Sequence, residues 1–125
     1  MKPVNIDKNG GVVQITVQDE KYPQSITGII WRYNKDKTPD GKIGSFNSEI
    51  NMIPIGQPED CVDKLLLVDG IIVHQNDDPP TPYQVLVRVH QNQKEIFKMV
   101  PEDNGSGQLG KSNIQFTLRL QLVVS

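Results

Sequence analysis

The most informative absence from this sequence is alanine, which does not occur once in 125 residues. Valine and isoleucine, by contrast, occur thirteen times each. Alanine is the best helix former, whereas β-branched side chains lose rotamer freedom in a helix and fit a pleated sheet. The composition therefore excludes most helical architectures and predicts an all-β fold.

Residues that would build a disulfide, a membrane span or a nucleic-acid surface are also scarce. Cys61 is the only cysteine, so it cannot form an intramolecular disulfide, and we expect a buried or half-buried side chain in preference to a reactive thiol. The longest uninterrupted apolar run, residues 65–68, is far shorter than the roughly 20 residues that span a bilayer. The formal net charge is −2 without a basic block, so we expect neither a nucleic-acid nor a membrane partner.

The first residues lack the apolar segment of a secretory signal. If Met1 is the native start, this predicts a protein that is cytoplasmic or released without a signal peptide. The length fits one domain over residues 1–125, with residues 1–10 left open as a loose N-terminal arm.

Alternation of apolar and polar residues predicts most of the strands. It is clearest near the C-terminus, where one face holds Ile114, Phe116, Leu118, Leu120, Leu122 and Val124. The same period of two recurs in residues 83–89 and 13–17. The pattern predicts a single antiparallel β-sandwich of about eight strands, with a jelly roll as one form of it. The length of the last strand suggests that it pairs with the edge of a neighbouring molecule.

The middle of the chain is apolar on both faces. Two apolar runs, residues 65–68 and 71–73, are separated only by Asp69 and Gly70. Asp-Gly between apolar runs is a strong hairpin signal, so we predict a turn there, with both strands in the interior or under a loop. A buried amphipathic helix over residues 58–68 is the alternative. Residues 101–110 are expected to form a flexible loop.

Catalytic and metal-binding patterns are missing from this sequence. Its two histidines, His74 and His90, do not form a spacing that chelates zinc or iron. Paired carboxylates lie mostly in turns, where solvation keeps them from acting as catalytic acids. We therefore expect no catalytic residue, and a metal-dependent enzyme that uses the histidines with loop carboxylates is the least favoured interpretation.

The acidic loops are candidate ligand sites. Asp36 and Asp40 lie in one glycine-containing loop, and His74 precedes Asp77 and Asp78 in another. Calcium takes about six to eight oxygen ligands, often carboxylates from loops, so calcium is the one cofactor that we consider here. A plain turn explains the same residues without a metal, and we favour no cofactor.

Two aromatic residues and a set of amides are the other candidate contact groups. Trp31 and Tyr33 would suit a sugar platform or a protein contact if exposed, but their shared phase with Ile29 favours a core row. The amides on predicted outward positions are Gln14, Gln18, Gln84, Gln91, Gln93, Gln115, Gln121, Asn47 and Asn51. Such a face binds sugar hydroxyls or another subunit, or is simply solvated.

Taken together, these features predict a non-enzymatic binding or assembly module. It would act through sheet edges, polar strand faces or loops on a protein partner or by self-association. A lectin-like carbohydrate-binding module, with or without calcium, is the alternative. A metal-dependent enzyme is a less favoured one.

Overall fold

The computed structural model describes residues 1–19, 25–48, 52–73 and 80–125. These residues form ten strands and one 3₁₀ turn at Pro58–Cys61. The strands are β1 (Lys2–Ile6), β2 (Val13–Asp19), β3 (Ile26–Asn34), β4 (Pro39–Phe46), β5 (Ile53–Gly56), β6 (Lys64–Ile72), β7 (Thr81–Gln91), β8 (Lys94–Met99), β9 (Ser106–Leu109) and β10 (Ile114–Val124). The predicted all-β sandwich is confirmed, with ten strands in place of about eight. No helix within the described residues is long and apolar enough to cross a membrane.

The strands form two sheets that pack face to face. The first sheet has the order β1-β10-β6-β3-β4, and the second has the order β5-β2-β7-β8. Strand β9 pairs with the first residues of β7, whereas β8 pairs with its last residues. Strand β1 runs parallel to β10, so residues 2–6 are part of the sheet and do not form a loose arm.

The hydrophobic core lies between the sheets and is built from the predicted rows. Strand β10 buries Phe116, Leu118, Leu120 and Leu122, and strand β7 buries Tyr83, Val85, Val87 and Val89. Cys61 is buried beside them, as expected, at the end of the 3₁₀ turn. Each large apolar side chain buried in this way contributes about 1.5–3 kcal/mol relative to an exposed one.

The predicted hairpin at Asp69-Gly70 is wrong, because β6 runs straight through it. Gly70 lies opposite Gly28 on β3 and opposite Phe116 on β10, and Gly28 lies opposite Phe46 on β4. The two phenylalanine rings pack over the two glycines with their centroids 6.2 Å apart. A Cβ on either glycine would come within 3 Å of a ring atom. Gly70 therefore makes room for aromatic rings in a strand, which a local turn signal does not distinguish from a turn.

Two further predictions are corrected by the topology. The helix over residues 58–68 is wrong beyond its first turn, since Lys64 already begins β6. The loop predicted over residues 101–110 contains β9, whose Leu109 is buried, and Tyr83 Oη donates to the Asn104 carbonyl 2.9 Å away. Strand β10 lies between β1 and β6. The edge pairing suggested for the last strand is therefore blocked where these two strands already bind it.

Gln91 is an inward amide that fastens the N-terminal segment. Its Oε1 accepts from the Asp7 amide at 3.0 Å, and its Nε2 donates to the carbonyls of Asp7 at 2.8 Å and Gly11 at 3.2 Å. The predicted outward position is thus wrong for Gln91, which is 3% exposed, and Gln18 is also buried. Asn51 lies outside the described residues.

Candidate functional site

The carboxylates of the β3–β4 connection do not form a free ligand set. Asp36 accepts hydrogen bonds from the backbone amide and the hydroxyl of Thr38, and these bonds lower the pKa of its carboxyl group. Asp40 accepts from Arg32 Nε at 2.6 Å and lies 3.3 Å from Lys64 Nζ. Both cations lower the pKa of Asp40. The two aspartates therefore have different partners, and the charge of Asp40 is already balanced by protein groups.

Arg32 and Lys64 give this cluster a structural role. Arg32 Nη1 donates to the Ile55 carbonyl at 2.9 Å, which joins β3 of the first sheet to β5 of the second. Lys64 Nζ also donates to Asn34 Oδ1 at 2.6 Å. The cluster thus ties the sheets together at one end of the sandwich.

The second acidic loop lies outside the described residues. His74, Asp77 and Asp78 fall in residues 74–79, so the predictions made for them stay predictions. His90 is described, and its Nε2 lies 3.4 Å from Thr16 Oγ1. Across the described ranges, no three side chains of histidine, cysteine, aspartate or glutamate come together as a metal site would require.

Trp31 and Tyr33 point away from the core, which corrects the predicted core row. On β3 the buried side chains are Ile26 and Ile30, so alternation turns Trp31 and Tyr33 outward, where they are half-buried. The phase was ambiguous because β3 is apolar on both faces. Arg32, on the inward side, reaches its partners only because it lies at the end of the sandwich.

These aromatic residues belong to a larger apolar surface on the first sheet. We call it the outer patch, and it consists of Ile29, Trp31 and Tyr33 on β3 with Leu65, Leu67 and Ile71 on β6. Cross-strand register places Trp31 opposite Leu67, and Tyr33 opposite Leu65. Ile71 is 39% exposed and the other five are half-buried. The sequence signalled this surface through the apolar runs of β6, but these runs were interpreted as interior strands.

Polar and charged side chains flank the outer patch on both neighbouring strands. Lys42 of β4 lies opposite Trp31, and Arg119 of β10 lies opposite Leu67. One row of the sheet therefore carries Lys42, Trp31, Leu67 and Arg119 in spatial order. Neighbouring strands are about 4.8 Å apart, so the whole row spans about 14 Å.

Two hollows lie on this face of the sheet. The first, of about 290 Å³, is lined by Met1, Tyr33, Lys37, Leu65, Leu66, Leu67 and Arg119. The second, of about 390 Å³, is lined by Thr27, Gly28, Ile29, Lys42, Ser45, Asp69, Gly70, Ile71 and Gln115. The row that contains Trp31 runs between them and contributes Leu67 and Arg119 to the first hollow and Lys42 to the second. The outer patch is therefore an uneven surface with two depressions, each large enough for a side chain of a partner.

The charges around the hollows are mostly positive and uncompensated. Lys37, Lys42 and Arg119 form no ion pair with any residue in the described part of the chain. Asp69 is the one carboxylate among the described residues that line the hollows, and Gln115 Nε2 donates to it at 3.0 Å. Three cations thus face one carboxylate on a chain whose net charge is −2.

Comparisons with known proteins add little to this geometry. No family model matches the chain, and no curated protein matches it. Among solved structures, the chain is similar to a domain of unknown function, DUF4425, from Bacteroides vulgatus. The two are 11% identical, the match covers 88% of this chain and 93% of that chain, and the TM-score is 0.41. A likeness of this size carries no argument about function, so the candidate site rests on its own side chains.

Proposed function

We propose that this protein is a non-enzymatic module that binds a protein partner through the outer patch. The observation that carries the proposal is the arrangement of six large apolar side chains on the solvent side of two neighbouring strands. Trp31, Tyr33, Leu65 and Leu67 are direct cross-strand neighbours, whereas Asp69 separates Leu67 from Ile71 along β6. Contiguous apolar surface like that of the four neighbours marks interaction sites, whereas apolar residues scattered singly need no explanation. A strand face without a binding role would alternate to polar residues here, as β10 does at Gln115, Thr117 and Arg119.

The composition of the surface supports a protein partner. Its centre is aromatic and aliphatic, and its margins carry Lys42 and Ser45 on one side with Thr117 and Arg119 on the other. Protein interfaces have the same anatomy, with an apolar centre, a polar rim and an excess of tryptophan, tyrosine and arginine among the residues that dominate affinity.

A carbohydrate ligand is the second candidate, favoured by the outward aromatic pair Trp31 and Tyr33. Aromatic rings on a sheet face stack on sugars, and these two lie two residues apart on β3. The side chains of the aliphatic neighbours Leu65 and Leu67 cannot form hydrogen bonds with the hydroxyl groups of a sugar. The protein partner therefore accounts for more of the surface.

The test is selection of binders from a phage-displayed library of random linear peptides, followed by measurement with two matched variants. Leu67→Ala removes the centre of the outer patch. Leu86→Ala is the control, because Leu86 is also a half-buried leucine that faces outward from an interior strand, but in the second sheet. Urea unfolding of both variants checks that they remain folded.

We expect Leu67→Ala to lower the affinity for the selected peptides by about tenfold or more, which is typical of a central interface residue. Leu86→Ala should leave their affinity unchanged. A failure to enrich any peptide, or equal loss with both variants, would contradict the proposal. A glycan array probed in parallel, with binding that depends on Trp31 but not on Leu67, would favour the carbohydrate ligand instead.

A further inference from the structure

Building on the proposed function, we propose that the partner contributes an acidic and apolar segment. Its apolar side chains enter the two hollows beside the outer patch, and its carboxylates lie against Lys37, Lys42 and Arg119. The hollows and the cations thus specify the chemistry of the partner, which the outer patch alone leaves open.

Three cations on the outer face have no counterion within the described residues. Elsewhere among the described residues, some basic side chains are paired, namely Arg32 and Lys64 with Asp40, Arg88 with Glu95, and Lys2 with Glu102. Lys8, Lys94, Lys98 and Lys111 are not, so what distinguishes the outer face is that its unpaired cations surround an apolar surface. On the outer face, Lys42 and Arg119 occupy the two ends of the row that contains Trp31, and Lys37 lines the first hollow. Complementary potential at an interface speeds encounter and suppresses partners of the wrong charge. An acidic segment is complementary in charge to this surface, whereas a basic segment would be repelled by it.

The apolar lining of the two hollows requires that the segment also carry apolar side chains. Tyr33 and Leu65 line the first hollow, and Ile29 and Ile71 line the second. Along β3, Tyr33 and Ile29 are four residues apart, or about 13 Å at the rise of a strand. Volumes of 290 Å³ and 390 Å³ accommodate single large side chains rather than a folded element. The geometry therefore fits two apolar anchors about 13 Å apart with carboxylates between and beside them.

A second copy of the chain is a poorer occupant of the same surface. A two-fold interface presents the same patch from both partners, so it brings Lys42 and Arg119 of one copy near the same residues of the other. Only Asp69 offers a compensating charge among the described lining residues, and it already accepts from Gln115. Like charges placed opposite each other at an interface cost binding energy.

The experiment uses the peptides selected on the intact chain. We expect the enriched sequences to carry aspartate or glutamate together with large apolar residues. We also expect Lys42→Glu and Arg119→Glu each to lower the affinity for these peptides by about tenfold. The affinity of the wild-type protein for them should fall as the salt concentration is raised. Lys98→Glu is the matched control, because Lys98 is an exposed lysine on β8 of the second sheet.

A readout without any partner follows from the single tryptophan. Iodide should quench Trp31 fluorescence more strongly than caesium, and Lys42→Glu should reduce or reverse that difference. Lys98→Glu should leave it unchanged.

The outcomes separate the two proposals. Peptides that depend on Leu67 but are neutral or basic, and that tolerate both charge reversals, overturn the acidic segment and leave the protein-binding function standing. Peptides that ignore Leu67→Ala overturn the function itself. A dimer seen by light scattering that Leu67→Ala dissolves shows that a second copy covers the patch, which also overturns the acidic segment.

Discussion

Replacing Gly70 with alanine tests how the aromatic rings lie over the first sheet. An added Cβ would fall 2.8 Å from Phe116 Cε1 and 2.8 Å from Phe46 Cζ, where real Cβ contacts essentially never occur. Both rings belong to the core, since Phe116 is 1% exposed and Phe46 is 5% exposed. Neither ring can turn away into solvent, so the neighbouring strands must shift.

The expected size of the effect comes from two opposing terms. Overpacking of a filled core costs about 1–3 kcal/mol. Alanine also restricts the unfolded chain more than glycine does, which raises the free energy of unfolding by about 0.4–1 kcal/mol. We therefore expect Gly70→Ala to lower the free energy of unfolding by about 1–2 kcal/mol, which corresponds to a fall in Tm of several degrees for a domain of this size.

Urea unfolding of four variants makes the test specific: Gly70→Ala, Gly110→Ala, Phe116→Leu and the double variant of Gly70 and Phe116. Gly110→Ala is the control, because its nearest contact would be Pro80 Cγ at an ordinary 3.9 Å, and we expect it to change stability by less than about 0.5 kcal/mol. Phe116→Leu combined with Gly70→Ala should recover part of the loss, with a coupling of at least about 0.5 kcal/mol. A turn at this position would also be damaged by alanine but would show no such coupling. A neutral Gly70→Ala, or strictly additive losses, would refute the reasoning.

Three other predictions concern the groups that hold the sandwich together. The hydrogen bonds from Arg32 and Lys64 hold the pKa of Asp40 below its usual value, so its stabilising effect is complete above that usual value and is lost as the pH falls through the lowered pKa. The stability difference between wild type and Asp40→Asn should therefore shrink on acidification, and a constant difference would contradict this. Gln91→Met should cost about 1–3 kcal/mol in urea unfolding, because the backbone groups of Asp7 and Gly11 lose their part-buried hydrogen bonds to the Gln91 side chain, whereas exposed Gln108→Met should be neutral. Burial raises the pKa of the Cys61 thiol to about 11, so a thiol reagent at pH 8 should label it only after unfolding, and rapid labelling of the native protein would show that the site is open.

The rows of buried residues in the core could be predicted from the sequence because apolar and polar residues alternate in a half-buried strand. Strands β7 and β10 have one buried and one wetter face, so the period of two identifies both the strand and its inward side. The same logic failed where both faces are apolar. On β3, Ile29 and Ile30 offered two phases, and only packing against β5 decides that Arg32 points inward.

The candidate site was only partly visible for the same reason. Trp31 and Tyr33 are candidate contact residues in the sequence, but their pattern favours a core row, because whether they face the core or solvent depends on which strands flank them. The apolar run of β6 indicated two buried faces, and burial of the second face by a partner leaves the same pattern as burial inside the fold. Asp36 and Asp40 looked alike in sequence, yet their hydrogen bonds differ because Asp40 alone reaches Arg32 and Lys64.

Acrylamide quenching of Trp31, with and without a bound peptide of the acidic and apolar class, tests the central claim most directly. Trp31 is the only tryptophan and lies in the middle of the outer patch, so its emission reports on that surface alone. We predict that the free protein is quenched and that saturating peptide protects Trp31, with protection lost in Leu67→Ala but kept in Leu86→Ala. A peptide that binds while Trp31 stays equally open to acrylamide would contradict the account.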